Sequence, residues 1–481
     1  MLTLINTNRM VPPIAPVGLD YLAGAARRAG VEVDVLDLCL ADDPELALSE
    51  HFAKHSPELV AISLRNVDDC FWPGAAWFVP ELQATVRRIR EICDAPVVVG
   101  GVGFSIFPER IVEHTGADFG IRGDGERSLV ELLTQLRAGR RFDAVDGLIW
   151  REDGAIRSNR PAWPEDLSVP TARDAVDNAT YFRLGGQVGL ETKRGCSRQC
   201  VYCADPLAKG TKERLRDPAE VADEVESLLA QGVDVLHLCD SEFNVPIGHA
   251  RDVCEEFTGR RFEGRLRWYT YMTVVPFDGD LARRMRRAGC VGIDFTSDST
   301  EPSLLTTYGQ PHRKEDLAEA VRLCRANGIA VMLDLLLGGP GETPATVEAT
   351  IDSVRQIDPD CAGAALGIRI YPGTPMHSLL AAQRPLDEIP GVHRRYDGPI
   401  DLLRPTFYVS PALGERPASL VRDLIAGDPR FFEPDDGSPP SSDQADPRAD
   451  YNYNENQTLV DAIARGARGA YWDILRGLRT G

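Results

Sequence analysis

The sequence predicts an α/β protein made of two successive runs of alternating strand and helix, followed by a smaller C-terminal part. Three observations carry that prediction. Short, almost continuously apolar stretches alternate with amphipathic helical stretches over the first 150 residues, as in a parallel sheet covered on both faces. The alternation resumes at Gly189 and runs to about Tyr371, as in a β/α barrel or part of one. Of the 481 residues, 43 % are apolar and 26 % charged, a globular composition long enough for about three domains.

The elements follow in order. Leu2–Ile5 is an apolar strand ending at Asn6-Thr7-Asn8. Gly18–Ala29 is a helix, with Leu19, Leu22 and Ala26 at helical spacing and Gly30 just past its end. Val31–Leu38, Leu59–Leu64, Pro96–Val99 and Phe119–Ile121 are further strands, and Leu129–Leu136 is helical. Ligands bind at the carboxyl ends of such strands. Here those ends carry small and polar residues, which leaves room for a flat ligand. Residues 151–185 are polar and weakly periodic and are expected to be a linker. Barrel strands are expected at Val233–Leu238, Arg267–Thr270, Val291–Thr296, Ala330–Leu337 and Ala364–Tyr371. Helices are expected at Pro218–Gln231, Asp280–Ala288, Arg313–Ala326 and Thr343–Gln356. Residues 433–449 are acidic and rich in Pro and Ser, a composition expected to be flexible. Gln457–Arg476 is expected to form a helix.

The 53 Lys and Arg against 73 Asp and Glu give a net charge of −20. That balance argues against nucleic-acid and anionic-membrane partners, which require clustered cations. No apolar run is long enough for a membrane span, and the N-terminal residues lack a secretory pattern, so a cytoplasmic location is expected. Eleven cysteines in such a chain point to thiols or metal ligands rather than a disulfide framework.

The strongest signal is Arg194-Gly195-Cys196-Ser197-Arg198-Gln199-Cys200-Val201-Tyr202-Cys203, with thiols spaced C-x3-C-x2-C. Three thiolates on one loop can hold three corners of an iron–sulfur cube, and a complete cluster or zinc site wants a fourth ligand. No fourth Cys or His lies nearby, the next being His237 and Cys239. A corner left open suggests that a substrate or cofactor binds the metal directly.

This loop, with an aromatic residue before its last Cys, resembles the cluster loop of the radical S-adenosylmethionine (SAM) superfamily. The resemblance implies that Cys196, Cys200 and Cys203 bind a [4Fe-4S] cluster and that SAM chelates its fourth iron. Later segments match the family's barrel in order: Asp240-Ser241-Glu242 after the second strand and Thr296-Ser297-Asp298-Ser299 after the fourth. Gly338-Gly339-Pro340-Gly341-Glu342-Thr343 follows the fifth, and Tyr371-Pro372-Gly373-Thr374-Pro375 the sixth. By the same resemblance Tyr202, Asp240, Glu242, Ser297, Asp298, Gly338, Gly339 and Arg369 contact SAM. Each segment alone reads as a strand-end turn; their order behind the cysteine triple makes the resemblance.

The first 150 residues resemble the cobalamin-binding domain that precedes the barrel in one radical SAM subclass. The matching pieces are Pro12-Pro13 with Gly18-Leu19-Asp20-Tyr21-Leu22, the Val97–Gly103 turn, and Gly123-Asp124-Gly125-Glu126. The resemblance implies a Rossmann-like cobalamin-binding domain over 1–150, a linker over 151–185, and a partial (β/α)6 TIM-type barrel over 186–385. A smaller, mostly helical substrate or cap region follows over 386–481. Cobalamin contacts are then expected from Asn6, Asn8, Pro12, Ser63, Arg65 and Asn66, and from Gly100, Gly101, Gly103, Phe104, Gly123 and Glu126. One departure matters: none of His51, His55 and His114 stands in the Asp-x-His-x-x-Gly pattern that supplies a lower ligand to cobalt. Arg65 is expected near that face instead, unless it pairs with Asp68 or Asp69.

Two cofactors facing one cavity imply methyl transfer, in which cobalamin takes a methyl group from SAM and passes it to carbon. The segments 4–8 and 64–69 are similar to the tryptophan C2-methyltransferase branch. Arg65 and Tyr308 are the expected catalytic residues, and Tyr308, His312, Tyr451, Tyr453 and Trp472 are candidates for the substrate pocket. The expected partners are a small-molecule substrate and an electron donor such as flavodoxin or ferredoxin. The competing expectation keeps both cofactors but has a radical rearrange, cyclise or oxidise the substrate. A binding or sensing protein without turnover is the reading from outside enzymology.

Overall fold

The structure, a computed structural model, describes residues 1–167, 169–434 and 451–480. Its first sheet holds β1 (Leu2–Asn6), β2 (Val33–Asp37), β3 (Leu59–Ser63), β4 (Val97–Gly100), β5 (Phe119–Ile121), β6 (Leu148–Glu152) and β7 (Ala155–Ser158). They lie in the order β2-β1-β3-β4-β5-β6-β7. β1 to β5 are parallel, and β6 and β7 add an antiparallel hairpin. The order reverses at β1, so the topological switch point lies between β1 and β3. Strand alternation sorts the apolar side chains to two faces. Leu2, Leu4, Leu59, Ala61 and Val98 meet Leu19, Ala23 and Ala26 of the helix Val17–Arg28. Ile5, Val60, Ile62, Val97 and Val99 face the helices Pro44–Lys54 and Val79–Ile92.

The second sheet is an open barrel. β8 (Val188–Leu190), β11 (Val235–Leu238), β12 (Arg267–Thr273), β13 (Cys290–Asp298), β14 (Ala330–Leu337) and β15 (Cys361–Leu366) are six parallel strands in sequence order. The short β19 (Phe431–Phe432) closes the β15 edge. A two-residue hairpin, β9 (Lys193–Arg194) with β10 (Arg214–Leu215), brackets the cysteine loop. β16 (Ile368–Arg369), β18 (Thr406–Tyr408) and β17 (Val392–Arg394) form a small antiparallel sheet beyond the barrel.

Several expectations change. Residues 151–185 contain the end of β6, all of β7 and the helix Asn178–Gly185. Exposed Arg and Glu side chains mask the hairpin's alternation. Ala364–Tyr371 is not one strand, because Gly367 (φ +85°) breaks it into β15 and β16, which belong to different sheets. Gln457–Arg476 is two helices, Gln457–Ala464 and Tyr471–Thr480, parted by Gly466 and Gly469 at positive φ. Of the segment 433–449, residues 435–449 lie outside the described residues. No helix among the described residues is long and apolar enough to cross a membrane.

One apolar core crosses between the sheets, joining Leu4 and Leu19 to Val188, Val221 and Val225. A second cluster lies inside the barrel. There Val235, Tyr269, Met332 and Cys361 meet Leu459, Ile463 and Trp472 of the C-terminal helices. The C-terminal segment therefore plugs the lower end of the barrel.

Candidate functional site

The carboxyl ends of the first sheet face the start of the barrel across a cleft. Its floor is apolar (Ala61, Ile62, Val98, Ile121, Leu129) and its mouth carries Ser63, Ser105, Glu126, Glu191 and Arg194. Ser63, Gly100, Gly101, Gly123 and Glu126 line it as the sequence suggested; Gly18, Leu22, Ser105 and Lys209 were not expected there. Its apolar floor and polar rim suit the nucleotide tail of a cobalamin. Other expected contacts are spent inside the protein. Asn6 donates to Asp37 Oδ1 (2.9 Å) and to the Tyr181 hydroxyl (2.8 Å), while its Oδ1 accepts from Asn8 N (3.1 Å). Phe104 is fully buried beneath Gly120. A Cβ on Gly103 would strike the Asn66 backbone at 2.8 Å, so this glycine packs two turns together. Pro12 is buried, Asn66 lies 3.7 Å from the Met10 sulfur, and Asn8 keeps a buried Nδ2 without a partner. Glu126 is tied to Arg194 (2.7 Å); burial pushes its carboxyl up, but the guanidinium prevails and holds it below the ordinary range.

Cys196, Cys200 and Cys203 sit on the loop after β9. Gly195 (φ +88°) makes the turn into that loop, and a Cβ there would stand 2.0 Å from the Lys212 carbonyl oxygen. Cys196 N donates to Gly210 O (3.1 Å), Cys203 N to Cys200 O (3.2 Å), and Val201 N to Tyr308 O (3.0 Å). Burial pushes the thiols up, Cys196 to about 11 and Cys200 to about 12, so the loop suits a cationic metal that draws them to thiolates. A single zinc ion brings its sulfurs to about 3.8 Å of one another. Among the described residues only Asp34, His51 and His55 gather such donors within 4.8 Å of one another, so the three sulfurs are not drawn together as around a single zinc ion.

The expected SAM contacts divide into free and engaged groups. Glu242 is 8 % exposed; its Oε1 accepts from Thr296 Oγ1 (3.2 Å) and its Oε2 is buried without a partner. Burial pushes this carboxyl up to about 8. Asp240 instead accepts from Thr192 N (2.8 Å), Thr192 Oγ1 (2.5 Å) and Lys193 Nζ (3.2 Å), which ties β11 to the cysteine loop and leaves it no capacity for a ligand. Asp298, with backbone φ +55°, accepts from the Tyr202 hydroxyl (2.7 and 2.9 Å) and Gln310 Nε2 (2.6 Å). Gln310 also lies 3.5 Å from Cys200 Sγ, a neighbour that sequence reading missed because it lies outside every motif. Ser297 Oγ donates to Asp334 O (2.7 Å).

Two expected site residues are corrected. Arg369 gives Nε to Asp68 (2.9 Å), Nη1 to Ile370 O (2.8 Å) and Nη2 to Leu402 O (2.9 Å). It is a buried strut between the small antiparallel sheet and the loop after β3, with its donors taken by protein groups rather than free for SAM. Tyr308 is fully buried, packs edge-on against Tyr202, and donates to Leu336 O (3.2 Å) and Glu342 (3.3 Å). It positions the cysteine loop and cannot touch a substrate. A Cβ on Gly339 would meet its hydroxyl at 2.2 Å, and Gly338 N donates to Glu342 Oε2 (2.8 Å), so both glycines complete that packing. His312, buried against the Ser297 and Ser299 backbone, and Trp472, in the plug, do not line the cleft.

Above the plug, strand alternation turns His237, Tyr271, Asp294 and Asp334 into the barrel. Gly363 supplies the space for the Tyr451 ring, which would overlap a Cβ at 2.0 Å. Arg65 of the first domain, an exposed side chain, faces these groups: its charge acts on His237, Cys239, Tyr271 and Tyr471. Asp68 is taken by Arg369, and Asp69 accepts from Phe71 N and Ala76 N. Among the described residues, Arg65 has no carboxylate partner; its Nη1 lies 3.9 Å from the Met10 sulfur.

Comparison with known proteins agrees with this geometry. The Radical SAM superfamily matches residues 190–354 and the B12 binding domain residues 5–133. The tryptophan 2-C-methyltransferase of Streptomyces laurentii is 32 % identical, over 79 % of this chain and 74 % of that protein. The radical SAM methyltransferase TsrM of Kitasatospora setae, solved with tryptophan substrate and a SAM analog, superposes with a TM-score of 0.90. That match has 34 % identity and covers 100 % of this chain and 97 % of that one. OxsB, a cobalamin-dependent SAM radical enzyme solved with aqua-cobalamin, shares the fold at 17 % identity (TM-score 0.71; 85 % of this chain, 64 % of that one). A barrel with three thiols at one strand end, set against a cleft shaped for a corrin's tail, thus recurs along the full chain in a methylating relative, and this protein belongs to the cobalamin-dependent radical SAM methyltransferases.

Proposed function

We propose that this enzyme methylates C2 of tryptophan or a close indole relative, using a [4Fe-4S] cluster on Cys196, Cys200 and Cys203. The observation that carries the reading is the group of aromatic and acidic side chains, His237, Tyr271, Asp294 and Asp334, that the barrel strands turn inward above the C-terminal plug. When bound, the cobalt ring carries the methyl group from SAM to the substrate carbon. The protein's part is to hold the reactants and keep water out. Glu242, with one buried oxygen unpartnered, receives the SAM amino group. Arg65 would face the bound corrin, and a guanidinium has no lone pair to offer cobalt. His237 Nδ1 lies 3.1 Å from Leu238 O and donates to it, which leaves Nε2 as an acceptor. Burial, reinforced by Arg65, lowers this imidazole to about 4, so it is neutral and suits an indole N–H. Flavodoxin or ferredoxin is the proposed electron donor.

Anaerobic incubation of the cobalamin- and cluster-loaded enzyme with methyl-13C SAM and tryptophan tests this reading. We expect one labelled methyl at C2 by NMR; label on no indole overturns it. For the SAM subsite, Glu242→Gln is expected to weaken SAM binding by about 10-fold or more, the scale of one charge-assisted hydrogen bond. Equilibrium dialysis on cluster-loaded enzyme checks this, and an unchanged affinity removes Glu242 from the role.

A further inference from the structure

We propose that Asp294, with Asp334 and Tyr451 beside it, forms a receptor for a primary ammonium group on the substrate. The inference deepens the reading above and rests on it for the identity of the ring to be methylated, but not for the recognition of the cation.

Ile293 and Phe295 of β13, and Leu333 and Leu335 of β14, point outward into the core under the barrel helices. The residues between them, Asp294 and Asp334, therefore point inward. In the β13–β14 register Asp294 pairs with Met332 and Asp334 with Thr296, so the two carboxyls are diagonal neighbours on one face. Met332 belongs to the apolar plug, and Asp294 stands directly beside it in the sheet. The Tyr451 hydroxyl donates to Asp334 Oδ1. Asp294 is 5 % exposed and its Oδ1 is buried with no partner.

The groups acting on this pair are acids and phenols. Asp334 and Glu242 repel charge on Asp294, Asp298 does so on Asp334, and Tyr271 and Tyr453 feel both aspartates. Among the described residues, no Lys or Arg forms an ion pair with either aspartate. Burial first, then Asp334 and Glu242, hold the Asp294 carboxyl well above the usual range. Two desolvated carboxyls without a cation are an unfavourable arrangement. An ammonium removes that penalty, because it brings one positive charge and three donors to acceptors set side by side. The aromatic end of such a ligand then extends upward past Tyr271 toward His237 and Arg65. The class of ligand is an aromatic primary amine or amino acid.

The test measures binding, which does not depend on turnover. Tryptophan, tryptamine and indole-3-propionate are titrated against the cluster- and cobalamin-loaded enzyme and its Asp294→Asn variant. The wild type is expected to bind both amines at least about 30-fold more tightly than the propionate, and the variant to lose that preference. Asp334→Asn is expected to weaken amine binding by a smaller factor, and Asp294→Gln to behave like Asp294→Asn. Iron, cobalt and Tm unchanged in the variants show that the fold is intact. If amine preference is seen and vanishes in Asp294→Asn while no indole is methylated, the receptor stands and the C2 assignment falls. Equal binding of all three ligands, or an unchanged preference in Asp294→Asn, overturns the receptor even where tryptophan is methylated.

Discussion

Cys200→Ala is expected to abolish methyl transfer while leaving cobalamin binding intact. The loop presents three thiols and, among the described residues, no further Cys or His in contact with them. Removing one leaves two ligands for a centre that requires three from the protein. Residues that merely support metal ligands already cost 10- to 100-fold when removed, so the loss from a direct ligand exceeds about 100-fold. The cleft that suits the corrin's tail is built from β3, β4 and β5 and the start of the barrel, and does not depend on this sulfur. Iron and sulfide content, read with the cobalamin absorbance, separates the two effects. Cys324→Ala is the control: this thiol is fully buried in the core of the helix Lys314–Ala326 and its loss is expected to leave iron content unchanged. A Cys200→Ala enzyme that keeps its iron and turns over overturns the ligand assignment.

The contrast between Cys200 and Arg369 shows what the sequence made legible. Cysteine spacing is a local property, and the hairpin β9–β10 keeps the loop local too, so the thiols could be grouped before any fold was known. The parallel strands were legible for the same reason, since four or five consecutive apolar residues mark a strand wherever it packs. Arg369 stands at a strand end, where a ligand contact was expected, yet its donors go to Asp68, 301 residues away, and to main-chain carbonyls. Asp240 and Tyr308 were misread in the same way. A motif places a side chain at the rim of a site, but only tertiary packing decides whether a protein group reaches it first. The barrel plug was illegible because Val235, Met332 and Cys361 read as ordinary strand residues, and their partners Leu459 and Trp472 follow an acidic, proline-rich stretch. Asp294 was passed over because it lies inside an apolar strand and belongs to no turn motif.

Arg173→Ala is expected to destabilise the protein by about 3–5 kcal/mol, the cost of removing one member of a buried ionic network. Arg173 lies in the stretch read as a linker, is fully buried, and meets four elements at once. Its Nε donates to Asp20 Oδ2 (2.6 Å) on the helix that covers the first sheet. Its Nη1 donates to Glu224 Oε1 (2.7 Å) on the barrel helix Pro218–Ala230 and to Gly189 O (3.1 Å) in β8. Its Nη2 donates to Asn178 Oδ1 (3.1 Å). The Ala variant leaves Asp20 with no cation and Glu224 with Arg216 alone (2.6 Å), both out of reach of water. Arg173→Met with Asp20→Asn removes one cation and one carboxylate together and is expected to recover part of the loss, because Glu224 keeps Arg216 as its cation (2.6 Å). Because the network bolts the first sheet to the barrel, the single variant is also expected to split thermal unfolding into two transitions rather than lower one Tm. Calorimetry distinguishes the outcomes: a single transition shifted by less than the equivalent of about 1 kcal/mol would mean that the shared apolar core alone joins the domains. If two transitions appear, methyl transfer must fail at temperatures where both domains remain folded but are undocked, since the site lies between Arg65 on one and Asp294 on the other.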